Sequence, residues 1–301
     1  MKGHSFLVAV AMGLAVSAAV WAQQGVPGTG PGTQAASTDP ELPPPPGALP
    51  IRPAGGSRGG LLYAPPSTTP APNNQPGNAY WSLAIQQDPN DLKVYREANA
   101  KLGPPKEGEQ RVIFLGDSIT ENWGPRGDMS RYYPGKPNYI GRGYTSETTQ
   151  HMLVRFRPDV LNLKPKVVVL MAGVNDIAGN SGAVPDETIH DNFISMFDLA
   201  KANNVKVVLV SVLPATRFFW QPGIVPQERI VTLNKWLKEY AVKNGLYYVD
   251  AHAQFKDENN GMKAGMSSDT VHPNAAGYTL LSQLVGVEIE KALKGEAPSV
   301  K

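Results

Sequence analysis

Four short stretches of the chain contain side chains that together could carry out acyl transfer. They are Gly116-Asp117-Ser118, Gly141-Arg142-Gly143, Gly173-Val174-Asn175-Asp176 and Asp269-Thr270-Val271-His272-Pro273. A serine hydroxyl is a weak nucleophile until a neighbouring base accepts its proton, and His272 is the only histidine in these stretches. Asp269 could bond the other ring nitrogen and stabilise the imidazolium, although it could instead cap the final helix. The spacing predicts Ser118, His272 and Asp269 as catalytic residues.

The same stretches contain three groups that could stabilise an oxyanion. Attack on an ester carbonyl places negative charge on its oxygen, and fixed donors aimed at that oxygen lower the barrier. We expect the donors to be the backbone N–H groups of Ser118 and Gly143 and the side-chain amide of Asn175. Glycine suits a backbone donor because it has no Cβ to block the substrate's approach. Asp117 and Asp176 are predicted to hold turns rather than to take part in the chemistry.

A series of alternating strands and helices is predicted to bring these stretches together. Buried strands are predicted at residues 111–115, 138–141, 166–171, 205–212 and 246–250, and amphipathic helices at 91–102, 189–200, 230–240 and 274–293. Unbroken Val and Leu runs are typical of strands buried on both faces of a parallel sheet. The alternation predicts a single three-layer α/β domain over residues 80–297. Ligands bind outside the carboxyl ends of such strands, so the four stretches should meet at one edge.

Taken together, the four stretches resemble those of the SGNH (GDSL-type) hydrolase superfamily, over residues 111–293. The resemblance implies that Ser118 is the nucleophile, that Gly143 and Asn175 match the oxyanion glycine and asparagine, and that Asp269 and His272 form the acid–base block. It also implies a flavodoxin-like fold with five parallel strands in the order 2-1-3-4-5, and no cofactor. Many relatives have Asn-Arg-Gly-x-x-Gly-Glu-Thr in the second block, where this chain has Gly-Arg-Gly-Tyr-Thr-Ser-Glu-Thr. The loop after the second strand is therefore expected to differ in shape.

The second and third blocks are most similar to bacterial acylhydrolases related to platelet-activating-factor acetylhydrolase and to carbohydrate acetylesterases. This resemblance implies a serine esterase acting on short acyl groups, above all acetyl esters of a glycan or another small molecule. One alternative is a lysophospholipase or lipase that acts on longer acyl chains. Another is a catalytically idle polysaccharide-binding module, which the intact Ser118, Gly143, Asn175 and His272 disfavour.

Other residues that could bind a ligand give weaker signals. His151, His190 and His252 do not have the spacing of zinc ligands and the chain has no cysteine, so no metal site is predicted. His190 is expected on the solvated face of a helix. Residues 217–222, which include Phe218, Phe219 and Trp220, follow the fourth strand at the same edge. They could contact a sugar ring or an acyl group, or could only fill the surface of the domain.

The first 79 residues are expected to precede the folded domain. Residues 1–22 have a basic start, an apolar run and small residues before a cleavage position, which resembles a secretory signal peptide. The alternative is a membrane anchor, but the run is shorter than the ~20 apolar residues of a spanning helix. Residues 23–79 are rich in proline and glycine and are predicted to be a disordered linker, with or without a spacer function.

These features predict an exported protein, periplasmic or extracellular, without stable membrane insertion after signal cleavage. The formal net charge is +2, with acidic and basic residues mixed along the chain, so no nucleic-acid partner is indicated. The pattern does not indicate an oligomeric state.

Overall fold

The computed structural model describes Asn90 and residues 92–298, which contain one sheet of parallel strands. The predicted signal peptide, the predicted linker and the first residues of the predicted domain lie outside the described residues. The five strands are β1 (Val112–Gly116), β2 (Tyr139–Gly143), β3 (Val167–Met171), β4 (Lys206–Val210) and β5 (Tyr247–Val249). Their order in the sheet is β2-β1-β3-β4-β5, and all pairs are parallel. The predicted fold class and strand order are confirmed.

Eight α-helices connect and cover the strands within the described residues. They are α1 (Arg96–Leu102), α2 (Ser118–Trp123), α3 (Thr149–Asp159), α4 (Val174–Ile177), α5 (Asp186–Ala202), α6 (Gln227–Asn244), α7 (Ala251–Phe255) and α8 (Ala275–Lys294). α1 is shorter than predicted because Tyr95, whose hydroxyl reaches inward to Gly143, has non-helical backbone angles. None of the helices within residues 92–298 has both the length and the apolar character needed to cross a membrane.

The helices pack on both faces of the sheet because right-handed crossovers change face where the strand order reverses. On one face, α2 and α8 meet around Trp123, whose ring packs edge-on against Phe114 and stacks on Tyr278. On the other, α5 and α6 meet where Phe197 packs on Tyr240. Strands β1 and β3 are fully buried, as their Val- and Leu-rich sequences predict.

The order of the strands also places the ends of β1 and β3 beside an open crevice. From β1 the chain crosses to β2 on one side, and then to β3 on the other side of β1. Loops that leave the carboxyl ends of two such strands diverge, and the crevice between them is the usual ligand position in this kind of sheet. Ser118 follows β1 and Asn175 follows β3, so both residues lie at this crevice.

Candidate active site

The turn between β1 and α2 exposes the predicted nucleophile. Asp117 caps α2 by accepting a hydrogen bond from the backbone N–H of Ile119, and Ser118 is the first residue of the helix. A Cβ on Gly116 would lie 2.1 Å from Thr120 Oγ1, so a side chain at this position would force α2 away from β1. The glycine therefore permits the sharp strand-to-helix turn that leaves Ser118 partly exposed at the crevice.

The three side chains that the sequence predicts as catalytic form one hydrogen-bonded row. Ser118 Oγ lies 2.9 Å from His272 Nε2, although the two residues are 154 positions apart. His272 Nδ1 lies 2.6 Å from Asp269 Oδ2. With its proton on Nδ1, His272 presents an unprotonated Nε2 to the serine hydroxyl, which is the tautomer a general base needs.

The loop between α7 and α8 holds Asp269 as an ionised partner of His272. Asp269 Oδ1 accepts from the backbone N–H groups of Val271 at 2.9 Å and His272 at 2.7 Å. Partial burial would raise the pKa of Asp269, but these hydrogen bonds and the contact with His272 outweigh it and hold that pKa below its ordinary value. Thr270 is in the left-handed region at φ 74°, which is uncommon for a β-branched residue. Asn274, not Asp269, caps α8, so the alternative role considered for Asp269 is excluded.

The backbone of Gly143 does not have the orientation that its predicted role as an oxyanion donor requires. The N–H of Tyr144 donates to the carbonyl of Gly116, and peptide groups alternate in direction along a strand, so the N–H and C=O of Gly143 point away from β1. Its carbonyl accepts instead from the hydroxyl of Tyr95. A Cβ on Gly143 would lie 2.2 Å from the backbone nitrogen of Glu121, so the glycine makes room for α2, not for substrate. The prediction that Gly143 donates to an oxyanion does not fit this geometry.

The loop after β2, residues 144–148, contains a backbone donor that the sequence interpretation missed. Four of its five backbone N–H groups donate hydrogen bonds to acceptors within the described residues. The N–H of Ser146 has no acceptor among the described residues, and Ser146 has a positive φ of 67°. Ser146 stands where the second glycine of the Asn-Arg-Gly-x-x-Gly-Glu-Thr pattern would be. Glycine adopts positive φ readily. A glycine at this position of the family pattern therefore indicates a positive φ, and this signal could have identified Ser146 as the donor.

The amide of Asn175 is held on two sides within the protein. Its Nδ2 donates to the carbonyl of Glu147 at 2.9 Å, and its Oδ1 accepts from Asn180 Nδ2 at 2.8 Å. An amide nitrogen has two hydrogens, and the second has no acceptor within the described part of the chain. Asn175, which is 2% exposed, therefore has one N–H available to a substrate.

The aromatic residues that follow β4 divide between the two predicted roles, which are contact with a substrate and filling of the domain surface. Phe218 is fully buried, so this side chain fills the domain. Phe219 is 62% exposed. The Trp220 ring lies beside the site, with its centroid 6.5 Å from that of His272, and its indole N–H donates to Asn180 Oδ1 at 2.9 Å. Trp220 is thus a site residue that sequence patterning could not distinguish from its neighbours.

The other three histidines of the described residues, His151, His190 and His252, lie outside the hydrogen-bonded row. His190 was expected to be solvated, but its ring stacks on Trp236 of α6 at 3.9 Å, and burial lowers its pKa. His151 and His252 are buried. The Nδ1 atom of His151 accepts a hydrogen bond from the backbone N–H of Thr148 at the start of α3. In residues 92–298 no three acidic or histidine side chains are grouped so that they could hold a metal ion.

A buried ion network supports the loop between β2 and α3. Arg155 of α3 donates two hydrogen bonds to the carboxylate of Glu147 and one to Asp159, and it also contacts the carbonyl of Arg142 at 3.1 Å. The side chains of Arg155 and Glu147 are fully buried. Burial alone would lower the pKa of Arg155, but the two carboxylates reverse the effect and raise it. The network fixes Glu147, whose carbonyl in turn holds Asn175.

Asp117 is expected to make the stability of the protein depend on pH. Complete burial raises the pKa of Asp117 from 3.8 to about 7, so the folded protein keeps this proton at pH values where the unfolded chain has lost it. The stabilising contribution of Asp117 to the free energy of unfolding therefore decreases as pH rises from about 4 to 7. In Asp117→Asn the amide oxygen can still cap α2 but does not titrate. The melting temperature of the variant minus that of the wild type should rise from pH 4 to 7 and then level off. A difference independent of pH would contradict the assignment.

Known proteins are similar to this chain in sequence and in fold. The family described as GDSL-like Lipase/Acylhydrolase matches residues 114–280. The crystal structure of a candidate acylhydrolase of Bacteroides fragilis NCTC 9343 is 40% identical and covers 68% of this chain and 98% of its own, with a TM-score of 0.63. An acetylxylan esterase of Geobacillus stearothermophilus is 22% identical over 200 residues, which is 58% of this chain and 91% of that protein.

A third relative matches over a shorter region. The lipoprotein YqeF of Bacillus subtilis (strain 168), which is uncharacterized, is 26% identical over 121 residues, 36% of this chain and 50% of its own length. The chain thus spans half of that relative.

The parallel sheet and the family match define a hydrolase of the SGNH superfamily with a three-layer fold of the α/β class, and the predicted resemblance is confirmed. The chain belongs to the GDSL-like lipase/acylhydrolase family and is an ester-hydrolysing serine hydrolase.

Proposed function

We propose that the protein hydrolyses short-acyl carboxylic esters through an acyl-enzyme on Ser118, with His272 as general base and acid and Asp269 as its partner. The observation that carries this proposal is the continuous row from Ser118 Oγ to His272 Nε2, 2.9 Å, and from His272 Nδ1 to Asp269 Oδ2, 2.6 Å. A nucleophile, a base in hydrogen-bond contact and an acid that orients the base are the parts that this chemistry requires.

The reaction has two acyl-transfer steps. Ser118 Oγ attacks the carbonyl carbon while its proton passes to His272 Nε2. The tetrahedral intermediate then breaks its bond to the alcohol oxygen, which receives that proton from His272. Water attacks the acyl-enzyme in the same way, giving up its proton to His272, which returns it to Ser118 as the carboxylic acid leaves. Asp269 stabilises the imidazolium each time it forms.

Three N–H groups are proposed to stabilise the oxyanion in both steps. They are the backbone N–H groups of Ser118 and Ser146 and the free N–H of the Asn175 amide. Ser146 replaces Gly143 because its N–H has no acceptor among the described residues, whereas the peptide of Gly143 points away from β1. Ser146 is also close to the amide of Asn180, which in turn contacts Asn175, so the two donors belong to one connected region.

The proposed substrate is an acetyl or similarly short ester, carried by a glycan. The similarity to an acetylxylan esterase supports an acetylated glycan, and Trp220 beside His272 offers an aromatic surface of the kind that packs on sugar rings. A lysophospholipase or lipase that acts on longer chains is the alternative within the family. The row of Ser118, His272 and Asp269 disfavours an idle binding module.

Acyl-chain preference distinguishes these alternatives. We expect kcat/KM for p-nitrophenyl acetate to exceed that for p-nitrophenyl octanoate by at least about tenfold. A pocket sized for an acetyl group has no room for the longer chain, so the octanoate ester would not gain the ~1–3 kcal/mol that each methylene contributes in a pocket that accommodates it. Release of acetate from acetylated xylan, followed by chromatography, would extend the result to a glycan. Faster turnover of the octanoate ester would replace the proposed substrate class with lipids.

We also propose that the protein is exported. Residues 1–22 would be removed as a signal peptide. Residues 23–79 would then link the new N-terminus to the hydrolase domain of residues 80–297. The mature protein would be periplasmic or extracellular. The similarity to a lipoprotein is compatible with export. Amino-terminal sequencing of the protein from culture fractions would test the cleavage after Ala22, and an N-terminus at Met1 would contradict it.

A further inference from the structure

The buried amide of Asn180 joins three parts of the proposed site. Its Oδ1 accepts from the indole N–H of Trp220 at 2.9 Å. Its Nδ2 donates to Asn175 Oδ1 at 2.8 Å and lies 3.5 Å from the carbonyl of Ser146. Asn180 is 3% exposed. Water therefore competes little with these contacts, and every polar atom of this amide has a partner in the protein.

The partners of Asn180 determine which way each amide in the row faces. An indole nitrogen can only donate, so Trp220 requires the oxygen of Asn180 to face it. The nitrogen of Asn180 then faces Asn175, which must present its oxygen. Reversing either amide would place two donors or two acceptors against each other in a buried position, which is unfavourable. Trp220, acting through Asn180, thus favours the same orientation of Asn175 that the carbonyl of Glu147 requires on the other side.

The orientation of Asn175 matters because its two ends have opposite effects on an oxyanion. In the observed orientation Nδ2 points towards Glu147 and keeps one N–H free. In the reversed orientation the amide oxygen would take that place and repel the developing negative charge. Preorganised donors lower the barrier because they need no rearrangement when the charge forms.

We propose that Asn180, oriented by Trp220, is a positioning residue that holds the Asn175 oxyanion donor in place. Asn180 orients the amide of Asn175, and neither Asn180 nor the Trp220 indole nitrogen contacts the reacting atoms. This inference rests on the proposed function, because it requires an oxyanion to form beside Ser118.

A double-mutant cycle with p-nitrophenyl acetate tests the inference. Asn180→Leu keeps the approximate size of the side chain and removes all of its hydrogen bonds, and we expect kcat to fall about 10- to 100-fold, less than the ~10²–10³-fold of losing a donor outright. KM should stay within about threefold, since the interaction acts in the transition state. Asn175→Ala should lower kcat by about 10²–10³-fold. The double variant should be within about twofold of Asn175→Ala, because Asn180 acts only through Asn175.

A second pair of variants tests the role of the indole. Trp220→Phe keeps an aromatic ring but removes the donor to Asn180, and it should lower kcat several-fold at nearly constant KM. Combined with Asn175→Ala it should cause no further loss. Trp236→Phe makes the same chemical change on α6, where the ring stacks on His190, and it should leave kcat unchanged. If the melting curve shows that Asn180→Leu does not fold, Trp220→Phe and Trp236→Phe alone test whether Asn180 orients Asn175.

The outcomes separate the positioning role from the proposed function. Wild-type kcat in Asn180→Leu and Trp220→Phe, or losses that multiply in the double variants, would overturn the role of Asn180 while leaving the mechanism intact. Wild-type turnover in Ser118→Ala would instead overturn the proposed function itself. Losses confined to KM would mean that the two residues bind substrate and do not orient the oxyanion donors.

Discussion

Ser118→Ala is expected to lower kcat for p-nitrophenyl acetate by on the order of 10⁴- to 10⁶-fold, with little change in melting temperature. The variant removes the atom that forms the acyl-enzyme, and Ser118 Oγ makes its one side-chain contact in the described structure with His272. His272→Ala should cause a loss of similar size. The double variant should be no slower than either single variant, because nucleophile and base act as one unit. Steady-state kinetics with thermal melting would measure all three.

The control for this experiment is Ser130→Ala, which changes an exposed serine in the segment between α2 and β2. It should retain wild-type kcat and KM. A burst of p-nitrophenol equal to the enzyme concentration would reveal the acyl-enzyme in the wild type and should be absent in Ser118→Ala. Near wild-type turnover in either Ser118→Ala or His272→Ala would remove that residue from the mechanism.

Arg155→Met is expected to lower the free energy of unfolding by about 3–5 kcal/mol, because it leaves the carboxylates of Glu147 and Asp159 buried without their cation. Glu147 is fully buried, so water cannot replace the lost partner without opening the loop between β2 and α3. Urea denaturation, with the midpoint and slope compared with those of the wild type, would measure the change. Replacing Glu147 and Asp159 by apolar residues in the same variant should restore a large part of the stability.

An exposed ion pair provides the matched control. Lys136 and Glu290 lie 2.8 Å apart with both side chains 44% exposed, and Lys136→Ala should cost less than about 1 kcal/mol. A loss in Arg155→Met no larger than this would mean that water or a local rearrangement solvates the carboxylates. Activity measured well below the melting temperature should also fall, since Glu147 holds Asn175 in place.

The sheet could be predicted from the sequence because its strands are buried on both faces. Only apolar residues are tolerated there, so runs such as Val167–Met171 predict a strand without any long-range information. The alternation with helices then restricts the topology. The backbone direction of Gly143 could not be predicted, because it depends on the position of one residue within β2 and a shift of one residue reverses it.

The catalytic row was predictable because each of its members lies in a short, distinctive block beside a strand end. The supporting residues were not. Asn180 and Trp220 are separated by 40 positions and meet through one hydrogen bond, and polar or aromatic residues in loops have many possible roles. The stacking of His190 on Trp236 depends likewise on the packing of α5 against α6, which no local pattern specifies.

The 154-residue separation between Ser118 and His272 also has a consequence for the timing of activity during synthesis. The sheet is complete at β5, before Asp269 and His272 have been made. A ribosome-bound chain that ends there has every strand and an exposed Ser118, but no base to activate it. Esterase activity thus requires that the chain has been made at least through His272.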